Sequence, residues 1–125
     1  MTSVVLIVDD EEPIRLGLRD LMEGLGLTVE LAENGKEAVQ LLTRAAPNYY
    51  GVVLLDVVMP VMDGFAVYEQ LRSIFPALPV IVMSGHDDRD VAHRLSADDD
   101  PDLVIVQKPF EPDNLTSSVQ HLLGM

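Results

Sequence analysis

The residues best suited to chemistry in this chain follow apolar runs that are typical of buried strands. They are Asp9 and Asp10 after residues 4–8, Asp56 after residues 52–55, Ser84 after residues 80–83, and Lys108 shortly after residues 103–106. Uninterrupted Val, Leu and Ile suit strands that are buried on both faces, as in the centre of a parallel sheet. Ligands of such sheets bind at the carboxyl ends of the strands. We therefore expect these side chains to meet at one edge of a sheet.

Three carboxylates at one edge require a cation, because each pair would repel by about 4 kcal/mol at about 4 Å and an effective dielectric constant near 20. Oxygen donors without His or Cys select a hard ion, and this set suits Mg²⁺ better than a full calcium cage. Asp9 and Asp10 are thus candidate metal ligands, directly or through water. The alternative is that this acidic run caps a helix beginning at Pro13, and for Glu11 and Glu12 we prefer that interpretation.

Lys108 lies between an apolar run and Pro109, a position that directs its ammonium toward the acids. A structural salt bridge is the modest interpretation; with the hydroxyl of Ser84, the more specific one is an anion-binding pair. A metal, an ammonium and a hydroxyl around Asp56 suit a carboxylate that attacks a phosphoryl group and becomes an aspartyl phosphate.

Helical spacing of apolar residues separates the strand runs. It predicts helices over residues 13–25, 38–45, 65–75, 88–97 and 112–123, the fourth with the weakest pattern, and residues 28–32 read as a further short strand. Asp63 directly precedes the third helix and suits its N-cap better than Asp56 does. Alternation of strands and helices favours an α/β domain with one parallel sheet covered on both faces. Right-handed crossovers then place all strand carboxyl ends along one edge.

Composition narrows the class of protein. The 125 residues, 48% of them apolar, suit a single domain over residues 1–125. The formal net charge of −13 disfavours direct binding of nucleic acid. There is no cysteine, no run long enough to span a membrane and no signal-peptide pattern, so we expect a cytoplasmic domain without membrane contact.

These motifs, in this order, resemble those of a response-regulator receiver domain of two-component and phosphorelay signalling, the CheY-like family, over the whole chain. The matching residues are Asp9-Asp10, Asp56, the Met-Pro-x-Met-Asp-Gly loop at residues 59–64, Ser84, and Lys-Pro-Phe at residues 108–110. The resemblance implies the flavodoxin-like (βα)5 fold, a doubly wound five-stranded parallel sheet in the order 2-1-3-4-5.

The resemblance also implies a mechanism and partners. Mg²⁺, with Mn²⁺ as a substitute, would be bound by Asp10, Asp56 and the backbone carbonyl of Val58, with Asp9 helping through water. Asp56 would take its phosphoryl group from a phosphohistidine of a histidine kinase or a histidine phosphotransfer domain, with Ser84 and Lys108 holding that group. The domain would catalyse its own phosphorylation and its own slow dephosphorylation. It would not be a classical enzyme. We expect a monomer or weak dimer.

The chain departs from the family pattern at several positions. Ile105 occupies the place of an aromatic residue that normally relays the signal, Asp98 to Pro101 replace a common Gly-Ala turn, and Gly85 replaces a frequent alanine. His86 is a loop residue near the expected phosphate. It either affects the access of water to that phosphate or has no specific role. A stand-alone regulator, a relay intermediate and the receiver of a hybrid histidine kinase all resemble this pattern. The Met83-Ser84-Gly85 stretch and the missing aromatic residue at Ile105 favour the last on resemblance alone.

Two other classes of function remain open. A Mg²⁺-dependent phosphatase of the haloacid dehalogenase type also uses an aspartate nucleophile, but it would carry Asp-x-Asp-x-Thr where this chain has Asp9-Asp10-Glu11-Glu12. A protein-interaction module that is not phosphorylated would need a degenerate site, and every charged member of the set is present here.

Overall fold

Five parallel strands form one sheet. The structure, a computed structural model, describes residues 4–57, 63–85, 95, 100–108 and 110–125. The strands are β1 (Val4–Val8), β2 (Thr28–Ala32), β3 (Tyr50–Asp56), β4 (Val80–Ser84) and β5 (Leu103–Gln107). They pair in the order β2-β1-β3-β4-β5, parallel at every interface. The predicted strands and the predicted strand order are confirmed.

In the described part of the chain, three helices connect strands and a fourth follows β5. They are α1 (Glu12–Gly24), α2 (Gly35–Arg44), α3 (Gly64–Ile74) and α4 (Pro112–Leu122). A proline occupies the first turn of α1 and of α4, where its missing N–H costs no helical hydrogen bond. The helix predicted over residues 88–97 lies outside the described residues, except for Leu95, which is buried against the core.

The core has two parts, one on each face of the sheet. Successive residues of β1 alternate between them, with Leu6 in one part and Ile7 in the other. Helices α2 and α3 cover the first part, and α1 and α4 cover the second. Helices on both faces leave the strand ends as the place where polar side chains can meet.

The helix caps agree with the prediction at one start and disagree with it at another, and a third cap was not predicted. The carboxylate of Asp63 accepts a hydrogen bond from the Ala66 N–H at 3.0 Å, as predicted. The amide oxygen of Asn34 caps α2 in the same way, at 2.8 Å from the Glu37 nitrogen. Glu11 occupies the N-cap position of α1, but its side chain makes no capping hydrogen bond. The capping role expected for Glu11 is therefore wrong.

A partly buried ion pair ties α3 to the residues just before β5. The guanidinium of Arg72 lies 2.9 Å from the Asp100 carboxylate and also donates to the Leu78 carbonyl at 2.7 Å. The Tyr68 hydroxyl donates to the same carboxylate. Burial alone would raise the pKa of Asp100, but the hydrogen bonds from Tyr68, the Asp102 N–H and Arg72 lower it. The sequence had indicated only an acidic loop at this position.

We expect Arg72→Met to lower the free energy of unfolding by about 3 kcal/mol at pH 7, because it leaves a nearly buried carboxylate without its cation. A carboxyl group whose pKa is lower in the folded state stabilises the fold at every pH above its unfolded-state pKa, near 3.9. This stabilisation is lost as the pH falls through the folded-state pKa. The difference between wild type and variant should therefore shrink below about pH 4.

Urea denaturation followed by circular dichroism at pH 7 and at pH 3.5 measures both effects. Arg19→Met is the matched control, because the ion pairs that Arg19 makes with Asp20 and Glu23 are exposed. Its cost should stay within about 0.5 kcal/mol. Equal costs at the two arginines would contradict the stabilising role of Arg72.

No helix within the described residues is long and apolar enough to cross a membrane.

Candidate functional site

Two carboxylates lie side by side at the carboxyl ends of β1 and β3. In the parallel register Val8 pairs with Leu55, so Asp9 and Asp56 each follow a paired position. Asp9 is completely buried and Asp56 is only 4% exposed. Acids are seldom buried this deeply without a partner of opposite charge. The partner comes from the end of another strand.

Lys108, which follows β5, provides that positive charge. Its Nζ lies 3.4 Å from Asp9 Oδ2 and 3.3 Å from Asp56 Oδ2. Its backbone N–H donates to the Ser84 carbonyl at 2.6 Å, which ties the ends of β4 and β5 together. Burial by itself would lower the pKa of the Lys108 ammonium, but the attraction of Asp56 and Asp9 outweighs burial and raises that pKa. Lys108 therefore stays positively charged across the neutral range.

Four carboxylates converge at this edge. Asp9, Asp10, Glu11 and Asp56 each offer an oxygen atom, and these oxygens lie within 4.8 Å of one another. Asp10 and Glu11 are exposed, whereas the other two acids are buried. The sequence predicted that Asp9, Asp10 and Asp56 would meet. It did not predict that Glu11 would lie with them.

Hydrogen bonds hold the loop between β1 and α1 in place. The Glu11 N–H donates to Asp9 Oδ1 at 2.9 Å. Arg15, one turn into α1, donates from its guanidinium to the Asp9 carbonyl at 2.8 Å and from its N–H to the Glu11 carbonyl at 2.9 Å. Sequence reasoning missed Arg15, because no local pattern indicates a guanidinium that binds the backbone carbonyl of a residue six positions earlier.

Helix α3 begins directly against the backbone of Asp56. The Gly64 N–H donates to the Val57 carbonyl at 3.0 Å. A Cβ atom at Gly64 would lie 2.3 Å from the Asp56 carbonyl oxygen and 2.5 Å from Val57 Cα. Only a glycine fits this contact without a backbone shift. The sequence indicated a turn here but not this close approach.

The remaining predicted residues divide into two groups. Ser84 is buried at the end of β4, where it pairs with Gln107 of β5, and Ile105 packs partly buried against the core part under α2 and α3. Val58, most of the loop at residues 59–64, His86 and Pro109 lie outside the described residues.

Comparison with known proteins identifies the family. The model of the response regulator receiver domain matches residues 5–120. This chain belongs to that family. The phosphoacceptor role is general to receiver domains, which also bind Mg²⁺ in an acidic active site and interact with histidine kinases or phosphotransfer proteins. This chain has a cluster of acidic side chains at the sheet edge described above.

A transcriptional regulator and two solved structures show how close the likeness is. This chain is 37% identical over 122 residues to the DNA-binding transcriptional regulator NtrC of Escherichia coli K12. The match covers 98% of this chain and 25% of NtrC. The chain thus spans about a quarter of the length of that relative.

The chemotaxis protein CheY4 of Vibrio cholerae superposes with a TM-score of 0.85 at 28% identity, covering 98% of this chain and all of CheY4. The receiver domain of sensor histidine kinase PA1611 from Pseudomonas aeruginosa shares the fold, with a TM-score of 0.84 at 21% identity over the full length of both chains. That structure has a magnesium ion coordinated in the active site cleft.

Proposed function

We propose that residues 1–125 form a single receiver domain in which Asp56 accepts a phosphoryl group from a phosphohistidine, in a Mg²⁺-dependent reaction. The donor is a histidine kinase or a histidine phosphotransfer domain. The observation that carries the proposal is the position of the Lys108 ammonium, 3.3 Å from Asp56 and 3.4 Å from Asp9. A cation there can hold the carboxylates together before transfer and a phosphoryl oxygen after it.

Each step of the transfer can be assigned to a group of this chain. A carboxylate oxygen of Asp56 forms the new bond to phosphorus, and the bond between phosphorus and the imidazole nitrogen of the donor breaks. The electron pair of that bond stays on the imidazole, which takes up a proton. Lys108 pairs with one phosphoryl oxygen, and the Ser84 hydroxyl donates a hydrogen bond to another. Water later hydrolyses the acyl phosphate and returns Asp56 to its original state.

The donor atoms at this edge fit Mg²⁺. Asp9, Asp10 and Asp56 offer only carboxylate oxygens, the donors that a hard cation prefers, and no described His lies among them. The PA1611 receiver, which shares the fold, has a magnesium ion in its own active site cleft. The Val58 carbonyl is proposed as a further ligand. When bound, the ion would neutralise charge that builds up on phosphoryl oxygens during transfer.

Asp56→Asn tests the assignment of the nucleophile. We expect wild type incubated with phosphoramidate and Mg²⁺ to gain one phosphoryl group, visible as an acid-stable, base-labile addition in intact-protein mass spectrometry, and Asp56→Asn to gain none. Chelation of Mg²⁺ should also prevent the addition. Asp63→Asn is the matched control, since asparagine caps a helix as well as aspartate does. Labelling of Asp56→Asn at the wild-type level would refute the proposal.

A further inference from the structure

We infer that Glu11 is a fourth carboxylate of the cation site and that it determines how tightly and how selectively the site holds a divalent ion. The inference rests on the proposed function, in which Asp9, Asp10 and Asp56 hold that ion. It assigns a role to a side chain that the sequence pattern assigned to helix capping.

The position of Glu11 differs from that of its neighbour Glu12. A Glu11 carboxylate oxygen lies within 4.8 Å of oxygens from each of the three aspartates. Its side chain makes no capping hydrogen bond to α1, although it occupies the N-cap position. Glu12 lies in the first turn of α1 and does not join the group of acids found among the described residues. Two adjacent glutamates therefore have different surroundings.

The backbone of Glu11 is fixed from both sides. Its N–H donates to the carboxylate of Asp9, and its carbonyl accepts from the Arg15 N–H. The Arg15 guanidinium holds the carbonyl of Asp9 as well. The buried carboxylate of Asp9 thus holds the backbone of Glu11 in place. This arrangement limits the volume that the Glu11 carboxylate can explore and keeps it near the other acids.

The number of oxygen ligands that each ion takes indicates which ion benefits most. Ca²⁺ takes more oxygen ligands than Mg²⁺, which keeps several waters. A fourth carboxylate should therefore raise the affinity for both ions, and the affinity for Ca²⁺ by the larger factor.

Isothermal titration of the full chain with MgCl₂ and with CaCl₂ tests the inference. For Glu11→Gln we expect the Kd for Mg²⁺ to rise roughly threefold and the Kd for Ca²⁺ to rise roughly tenfold. Glu12→Gln is the matched control, because it removes the same charge one residue further along. Its Kd values should change by less than about twofold, since Glu12 does not lie within the group of four acids and its exposed charge is screened by solvent and salt.

Unfolding cannot explain the expected loss. Without a divalent ion, Glu11→Gln removes a carboxylate that repels three others, so its urea midpoint should equal or exceed that of wild type. Equal losses of affinity at Glu11 and Glu12, or an unchanged ratio of Mg²⁺ to Ca²⁺ affinity, would overturn the inference.

The experiment separates this inference from the proposed function. A wild type that binds neither ion would refute the metal site itself. A wild type that binds Mg²⁺ and is labelled on Asp56, with Glu11→Gln titrating like Glu12→Gln, would refute the role of Glu11 alone.

Discussion

Replacing Lys108 with glutamine is expected to slow phosphoryl transfer to Asp56 by roughly 100-fold, the usual effect of removing one group that stabilises charge in a transition state. The ammonium lies within 3.4 Å of the two buried carboxylates and reaches the place where a phosphoryl group on Asp56 would be. Glutamine offers a neutral donor on a shorter chain. The rate is measured with phosphoramidate at saturating Mg²⁺ by quantifying labelled protein over time.

The same substitution should lower the free energy of unfolding in the absence of Mg²⁺ by roughly 2–3 kcal/mol, because Asp9 and Asp56 are left buried without a cation. The Lys108 pKa is raised in the fold. A raised lysine pKa stabilises the fold at every pH below the unfolded value near 10.4, and this contribution disappears as the pH rises through the folded value. The deficit of the variant should therefore be constant between about pH 6 and pH 9.

Lys108→Arg separates the two roles of this residue. It keeps the positive charge and so should keep most of the stability, but its planar guanidinium cannot reproduce the contacts of a compact ammonium, and transfer should remain slow. Chemical denaturation and labelling are measured on the same samples. Wild-type transfer in Lys108→Gln would remove Lys108 from the proposed mechanism, whatever its effect on stability.

The sequence predicted the sheet and the meeting of its acids because both follow from local patterns. Apolar runs without polar alternation indicate buried parallel strands, and such strands have their carboxyl ends along one edge. That rule alone placed Asp9, Asp56 and Lys108 together, and the structure brings these three side chains into contact. The cap at Asp63 was predictable for the same reason, since a cap depends on residues within one turn.

The remaining features depend on partners far away in the chain, and no local pattern reveals them. Asp100 looks like part of an acidic loop until its contacts with Tyr68 and Arg72 of α3 are known. Glu11 has the spacing of a helix cap, and only the neighbouring acids from β1 and β3 show that its side chain lies in the cluster. The aspartates were predictable from strand ends, whereas the fourth carboxylate required coordinates.

Gly64→Ala is expected to lower the free energy of unfolding by about 3 kcal/mol, near the upper end for an added methyl group in a packed site. The new Cβ would lie 2.3 Å from the Asp56 carbonyl oxygen and 2.9 Å from its carbonyl carbon. Both atoms belong to the backbone, so no flexible side chain can move away to make room. Either α3 moves away from the sheet or the end of β3 shifts, and each movement breaks the hydrogen bond between the Gly64 N–H and the Val57 carbonyl.

Gly17→Ala is the matched control for this change. Gly17 lies in the interior of α1, and a Cβ there would meet nothing within 4 Å. Alanine should therefore stabilise that helix by roughly 0.5–1 kcal/mol. The same substitution is thus expected to lower the free energy of unfolding at one helical glycine and to raise it at the other. Urea denaturation of both variants measures this difference directly.

The effect of Gly64→Ala on transfer should exceed its effect on the folded population. A shift of the Asp56 backbone displaces the nucleophile from Lys108 and from the other acids, and a misplacement of about 1 Å can cost roughly 100-fold in rate. Labelling should therefore be slow even at a temperature where circular dichroism shows the variant to be folded. A Gly64→Ala variant that is as stable as wild type and is labelled at the same rate would contradict the claim that the start of α3 positions Asp56.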